Sequence, residues 1–193
     1  MVKEIGQGNP PTGAASVKWP GVPACFGWLS LDRRGGWRLK GEPIRHAGLI
    51  DWINHNYAPD ADGQWIFRNG PQAVFVDLEY TPLVLRLDVD DSLVLHTGQF
   101  AGVPTAAYLD EEGNVLIEVD PGIGLLDDRD LAGFIGGCRG PDEASVTEEL
   151  LAAASFGDAK LTWRGLVLRN ILRRDVSSRF RFNPAPQAVQ QGS

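Results

Sequence analysis

The stretch LDRRGGWRLKGEPIRHAGLIDWI, residues 31–53, returns in outline at residues 109–135 as LDEEGNVLIEVDPGIGLLDDRDLAGFI. Leu31-Asp32 matches Leu109-Asp110, Gly35 matches Gly113, Trp37 matches Val115 and Leu39 matches Ile117. After an insertion in the second copy, Leu49, Trp52 and Ile53 match Leu131, Phe134 and Ile135. FRNG at 67–70 has a fainter echo in WRG at 163–165. What recurs is the apolar pattern, the turn glycine and the helical stripe. What differs is the turn itself, Arg33-Arg34 against Glu111-Glu112. The period is too long for a solenoid. A duplicated scaffold with diverged surfaces is therefore expected: an α+β protein of two tandem units, each a β-hairpin, a helix and a largely antiparallel sheet.

Local patterns fill in each unit. Residues 28–32 and 37–40 flank Arg33-Arg34-Gly35-Gly36 and read as a hairpin. Leu49, Ile50, Trp52, Ile53 and Tyr57 give the three-and-four spacing of a helix over 46–57. Strands follow at 64–68 and 74–80, where Val74, Val76, Leu78 and Tyr80 alternate with Phe75, Asp77 and Glu79. Residues 83–87 and 93–97 pair across an acidic turn. The second unit opens with a hairpin over 106–110 and 115–119, broken by Pro121, Gly122 and Gly124. Asp127 caps a helix carrying Leu131, Phe134 and Ile135, which ends at Gly136-Gly137. Ser145 with Glu148 forms a capping box for a further helix. Strands at 160–163, 166–168 and 178–182 close the reading. The domain plan is a flexible segment 1–23, a first repeat 24–98, a second repeat 99–183 and a flexible tail 184–193. The opening segment is rich in Gly and Pro, with Trp19 as an anchor for its end.

Charge narrows the class of partner. The chain has 193 residues, 43% of them apolar, and a formal net charge of −7. Nucleic acid and anionic membranes need a basic footprint, so neither is expected as a partner. Acids crowd residues 110–149 and bases crowd 160–181, a pattern that neutralises within a fold. Cys25 and Cys138 form no metal-binding spacing, and no long apolar run appears. A reducing, cytoplasmic setting is the expectation.

The residues 23–57, from PACFGWLSLDRRGGW to NHNY, followed by NGPQAVFVDLEYTPLVLRL and GLLDDRD, resemble an uncharacterised family of proteobacterial proteins of about this length. The resemblance covers most of residues 20–183 and implies no assigned activity. The first half is also similar to a second uncharacterised family, through Trp37, Gly41 to Ile44, Leu49 to Ile53, Gly70-Pro71 and Tyr80 to Pro82. That resemblance implies a duplicated core and a C-terminal half similar to pleckstrin-homology-like folds. It also implies an interface holding a nucleotide-like ligand in signalling. Where that family carries Glu-Lys after the Pro, this chain has Gln72-Ala73.

Chemistry is sparse. There is no nucleophile elbow, Walker loop or dinucleotide fingerprint. PGIGLLDD at 121–128 has phosphate-loop spacing only in part, and Asp127 and Asp128 would repel an anion, so it reads as turn and cap. His46, His55 and His96 lack metal-ligand spacing, and Asp88, Asp90 and Asp91 lack the calcium-loop pattern. No cofactor or metal is expected. The richest group is cationic and polar: Arg38, Lys40, Arg45, His46, Arg68, Asn69, Gln72 and Arg86. Arg45 and His46 sit at a helix N-terminus, where positive charge is unfavourable unless an anion compensates. If the polar face of the first sheet turns toward the second repeat, these residues line a cleft for a phosphate or carboxylate; the other reading is a solvated face paired with acids of the other half. The expected function is a non-catalytic regulatory or sensor module binding a small anionic ligand between the repeats. A protein-interaction adaptor is the alternative, and a hydrolase using Asp77 or Glu79 with His96 is the third reading.

Overall fold

In the computed structural model, which describes residues 19–90 and 92–188, the chain forms two compact units, 19–80 with 182–188 and 81–181. In the first, strands β1 (Ala24–Leu31), β2 (Trp37–Leu39) and β3 (Glu42–Pro43) lead into helix α1 (Ala47–His55). Strands β4 (Tyr57–Pro59), β5 (Trp65–Asn69) and β6 (Gln72–Leu78) follow. They form a six-stranded sheet in the order β3-β2-β1-β6-β5-β4. In the second unit a hairpin, β7 (Leu83–Leu87) and β8 (Leu93–Leu95), precedes β9 (Ala106–Asp110), β10 (Val115–Val119) and β11 (Gly122–Leu126). Then come α2 (Leu131–Gly136), β12 (Cys138–Arg139), α3 (Glu148–Ser155), β13 (Thr162–Trp163), β14 (Leu166–Ile171) and α4 (Arg173–Arg179). Its eight-stranded sheet runs β12-β13-β14-β9-β10-β11-β7-β8.

The duplication is written in these orders. Substituting β9, β10, β11, β12, β13 and β14 for β1 to β6 turns the first order, read from the other edge, into six consecutive strands of the second, to which β7 and β8 are added at one edge. Each unit has a parallel central pair, β1 with β6 and β9 with β14. A parallel pair needs a crossover, and the helix in the intervening chain supplies one in both copies.

The shared hairpin turn has a physical basis. Asp32 Oδ1 accepts the amides of Arg34 (3.0 Å) and Gly36 (2.7 Å). Asp110 Oδ1 does the same for Glu112 (2.9 Å) and Asn114 (2.8 Å), and Asp60 Oδ1 for Asp62 (3.0 Å) and Gln64 (2.8 Å). In each the third residue after the aspartate is glycine with φ of 78°, 82° or 77°, the left-handed position that closes the loop. The differing turn residues do equivalent work. Arg33 N donates to Glu79 Oε2 (3.2 Å), just after β6; Arg173 N, just after β14, donates to Glu111 Oε2 (2.8 Å). The carboxylate has changed sides while the link has been kept.

One face of the first sheet buries Leu29, Leu31, Val74 and Val76 with Leu49 and Ile53 of α1. Trp37 meets Tyr57 edge-on (4.9 Å) and donates from Nε1 to Asn54 Oδ1 (2.7 Å). Several sequence expectations change here. The hairpin β7–β8, placed with the first repeat by a boundary after residue 98, pairs instead into the second sheet through β7 and β11. Gly124 makes that approach feasible, since a Cβ there would lie 2.7 Å from Leu85 Cδ1. Residues 122–126 are accordingly a strand and not a break. Helix α3 starts at Thr147, whose Oγ1 accepts from Leu150 N (3.2 Å), because Ser145 is bridged to Arg139 in extended backbone. The strand expected at 178–182 is replaced by α4, whose first N–H is satisfied by Glu111. Of the expected loose ends, residues 1–18 and 189–193 lie outside the described residues. Pro184 O accepts from Leu78 N (2.8 Å), which fixes the start of the tail on the first unit.

Candidate functional site

The eight cationic and polar residues fall in four places. Lys40 occupies a left-handed turn position (φ 51°) after β2. Its Nζ lies 3.5 Å from the centre of the Trp28 ring. Lys40 N donates to Trp28 O (2.7 Å), so the turn is clamped to β1 at the ring it covers. Arg38 lies on the same hairpin. Its Nε reaches Asp32 Oδ2 (3.3 Å) and its Nη1 donates to Gly41 O (3.2 Å), which engages two of its five donors.

Arg68, Asn69 and Gln72 come together in the β5–β6 turn. Arg68 is exposed, and Asn69 Nδ2 donates to Gln72 Oε1 (3.4 Å). Gln72 is buried and donates from Nε2 to Pro20 O and Val22 O, both at 2.6 Å. Its role is to tie the entering segment down. That segment brings Trp19 to within 6.5 Å of Trp28 and 5.7 Å of Phe67, ring centre to ring centre. The register Ala24↔Ala73 and the Lys40–Trp28 bond put both turns at the end of the sheet where β1 begins. Lys40, Trp28, Trp19, Arg68 and Gln72 thus share one end of the first unit.

Arg45 and His46 lie at the other end, since Ile44 N donates to Trp37 O (2.8 Å) and Trp37 faces Leu31. Arg45 is exposed. His46 is the N-cap of α1: its Nδ1 accepts from Leu49 N (3.1 Å).

Arg86 sits in the second unit, in an ion-pair network. Its Nε lies 2.5 Å from Asp130 Oδ2 and 4.0 Å from Asp127 Oδ2. Arg129 grips Asp127 through Nη2 (2.5 Å) and Nε (2.8 Å), and its N–H donates to Asp127 Oδ1 (3.0 Å). Asp127 is fully buried. Burial pushes its carboxyl up, but the hydrogen bonds and charge of Arg129, with Arg86 behind, outweigh it and bring the pKa down to about 2. The bond from Arg86 likewise lowers Asp130. LDDRD is thus a latch joining β11 to β7, and both guanidiniums already have carboxylate partners.

Two of the three groups in the hydrolase reading already hold backbone amides. Glu79 accepts from Arg33 N, and His96 Nδ1 accepts from Val84 N (3.2 Å). Asp77 is half-buried in the row Arg38–Ser30–Asp77, and burial raises its pKa. Both cysteines are buried and free, with thiols pushed up by burial, Cys138 to about 11. Among the described residues no three His, Cys, Asp or Glu side chains are grouped to hold a metal ion. No described helix is long and apolar enough to cross a membrane.

Sequence reasoning missed Trp28 and Trp19 as partners of the cationic end. A signal was present, since the hairpin register pairs Leu29 with Leu39 and so sets Trp28 beside Lys40.

The class defined so far is an α+β protein with an internal duplication and an aromatic, cationic end on its first sheet. The chain belongs to the DUF2944 family, described as "Protein of unknown function (DUF2946)", whose model matches residues 12–187. No curated protein matches it. Among solved structures it is similar to a DUF1285 family protein from Silicibacter pomeroyi DSS-3, with 14% identity and a TM-score of 0.49. That match covers 69% of this chain and 89% of the other. It is also similar to a DUF1285 family protein from Shewanella baltica OS155, with 16% identity, a TM-score of 0.43, and 55% and 89% covered.

Proposed function

We propose that the chain is a regulatory binding module for a small anionic ligand that carries a planar ring, taken at the Lys40–Trp28 end of the first unit. The observation that supports this is the ammonium of Lys40 held 3.5 Å over Trp28, with Trp19 beside that ring. The clamped ammonium offers charge for a phosphate, and because it covers one face of Trp28, stacking for a base falls to the Trp19 ring beside it. Exposed Arg68 stands at the same end of the sheet, three strands from Lys40 in the order β2-β1-β6-β5, and offers a second cation to a ligand that extends across that end.

A thermal-shift screen of the full chain against mononucleotides and phosphorylated metabolites tests it, with adenosine and inorganic phosphate as controls. A binding nucleotide at a hundredfold excess over its Kd stabilises the chain by about 2.7 kcal/mol. Lys40→Ala and Arg68→Ala should each weaken binding about tenfold, the loss of one charge-assisted contact. A screen without shifts, or shifts intact in the double variant, would remove the reading.

The adaptor reading has its own supporting feature. Phe100 (67% exposed) and Val103 (80% exposed) flank a groove of about 310 Å³ in the second unit, with Leu93, Leu166 and Arg164 in its wall. Grouped exposed apolar side chains of this kind serve protein contacts. The double variant Phe100→Ser, Val103→Ser should change stability by no more than about 0.5 kcal/mol. It should also abolish retention of any defined protein that copurifies stoichiometrically with the native chain.

A further inference from the structure

The two copies differ in their cores at two corresponding positions. Trp37 faces Leu31 across the first hairpin, and Val115 faces Leu109 across the second. Tyr57 opens the edge strand after α1, and Cys138 opens the one after α2. Trp37 and Tyr57 fill their unit with two rings in edge contact at 4.9 Å. Val115 and Cys138 put an isopropyl group and a thiol in the same places. Phe134 returns part of the lost volume. Counted back from the following strand it stands where Ile53 stands, and it packs on Trp163 at 4.8 Å. The remainder is a pocket of about 140 Å³, largely enclosed with a mouth to solvent, bounded by Leu109, Val115 and Leu168 of the sheet, Leu131 and Phe134 of α2, and Leu151 of α3. Helix α3 has no counterpart in the first unit, where β4 and β5 are joined by the Asp60 turn alone. It covers part of the side that the missing rings leave open.

We infer that this cavity is a binding site for a small, neutral, apolar molecule about the size of a benzene ring. An apolar cavity of about 150 Å³ stays dry and takes up benzene or xenon, because water gains no partners inside it. The wall here has the same character. Among the described residues no charged side chain lines it. Ser155 Oγ, the hydroxyl in the wall, is already satisfied by donating to Leu151 O (3.0 Å). The Cys138 thiol is buried and, with its pKa raised by that burial to about 11, stays uncharged. The occupant is therefore selected by volume and lack of charge, unlike the anionic ligand proposed for the first unit.

The test uses the full chain with benzene and indole as probes, and benzoate and benzylamine as charged controls. Near saturation the neutral probes should raise Tm by about 2–4 °C. The charged controls should not. Methyl NMR should show the perturbation at Leu109, Val115, Leu151 and Leu168. Cys138→Phe, or Val115→Phe, restores ring volume and should abolish the response. An absent response in the native chain would overturn the inference. So would a response retained in a folded filled variant. Should neither filled variant fold, the methyl map of the native chain decides: shifts confined to Leu93 and Leu166 at the surface groove overturn it, and shifts at Leu109 and Leu168 support it.

Discussion

Asp127→Ala is expected to cost about 3 kcal/mol at neutral pH, measured as the loss of unfolding free energy in urea. Asp127 is completely buried and holds three donors of Arg129, while Arg86 stands 4.0 Å away. Removing one partner of a buried ion pair costs about 3–5 kcal/mol because the remaining charge is stranded. Here both guanidiniums are about half exposed, with side-chain exposures of 53% and 42%, so water recovers part of the loss. Asp127→Asn should fall between the native chain and Asp127→Ala. It keeps an acceptor for the Arg129 N–H but turns an amide donor toward guanidinium donors. The native chain also carries an acid signature. The folded pKa, about 2, lies below the ordinary 3.8, so the stabilisation is fully present above about pH 4. It is lost as pH falls through about 2. The pKa difference corresponds to about 2 kcal/mol. Other carboxylates titrate in that range, so the measurement is a difference: stability of native minus Asp127→Asn at pH 7, 4 and 2. A gap that narrows toward pH 2 is the expected outcome. A gap independent of pH would show that the ion pair contributes nothing beyond shape.

The legible part of the fold was local and repeated. Asp32 and Asp110, each followed three residues later by glycine, announced the two hairpins, and apolar alternation announced β6. Sequence separation hid the rest. Nothing near Leu83 shows that it pairs with Gly124, because the room for that pairing is made by a glycine far along the chain that also reads as a breaker. Helix α4 exposes most of its residues and starts on a carboxylate borrowed from Glu111, so no stripe marks it. The site was legible in residue type and not in grouping. Lys40 and Arg68 stand out as cations in sequence, yet only strand order sets them at one end of the sheet, apart from Arg45 and His46. Arg86 looked like a free cation, while its partner Asp130 is supplied by the segment after β11. The cavity was partly visible, since Trp37 against Val115 was in the alignment. The helix alignment matched Phe134 to Trp52; burial and spacing match it to Ile53, and only that shift shows where ring volume is missing.

The duplication itself can be put to a quantitative test through Asp110→Ala and Asp32→Ala. Both aspartates make the same pair of turn bonds from Oδ1. A role fixed by the shared turn alone would give equal costs. The surroundings differ, however. Asp110 is fully buried and its Oδ2 takes a further bond from Asn114 Nδ2 (2.8 Å). Asp32 has a side chain 21% exposed and its Oδ2 faces Arg38 at 3.3 Å, an ion pair on the surface. Each bond to a carboxylate contributes about 1.5–3 kcal/mol when water cannot replace it, and much less when it can. Alanine at 110 should therefore cost about 3 kcal/mol and alanine at 32 about 1 kcal/mol. High salt should reduce the second cost, by screening the Arg38 pair, and leave the first unchanged. Equal costs would mean that the turn geometry governs both copies. A larger cost at 32 would mean that the Arg38 contact matters more to the first unit than its exposure allows, and Asp32→Asn, which keeps the Oδ1 bonds while losing the ion pair, would then account for the difference.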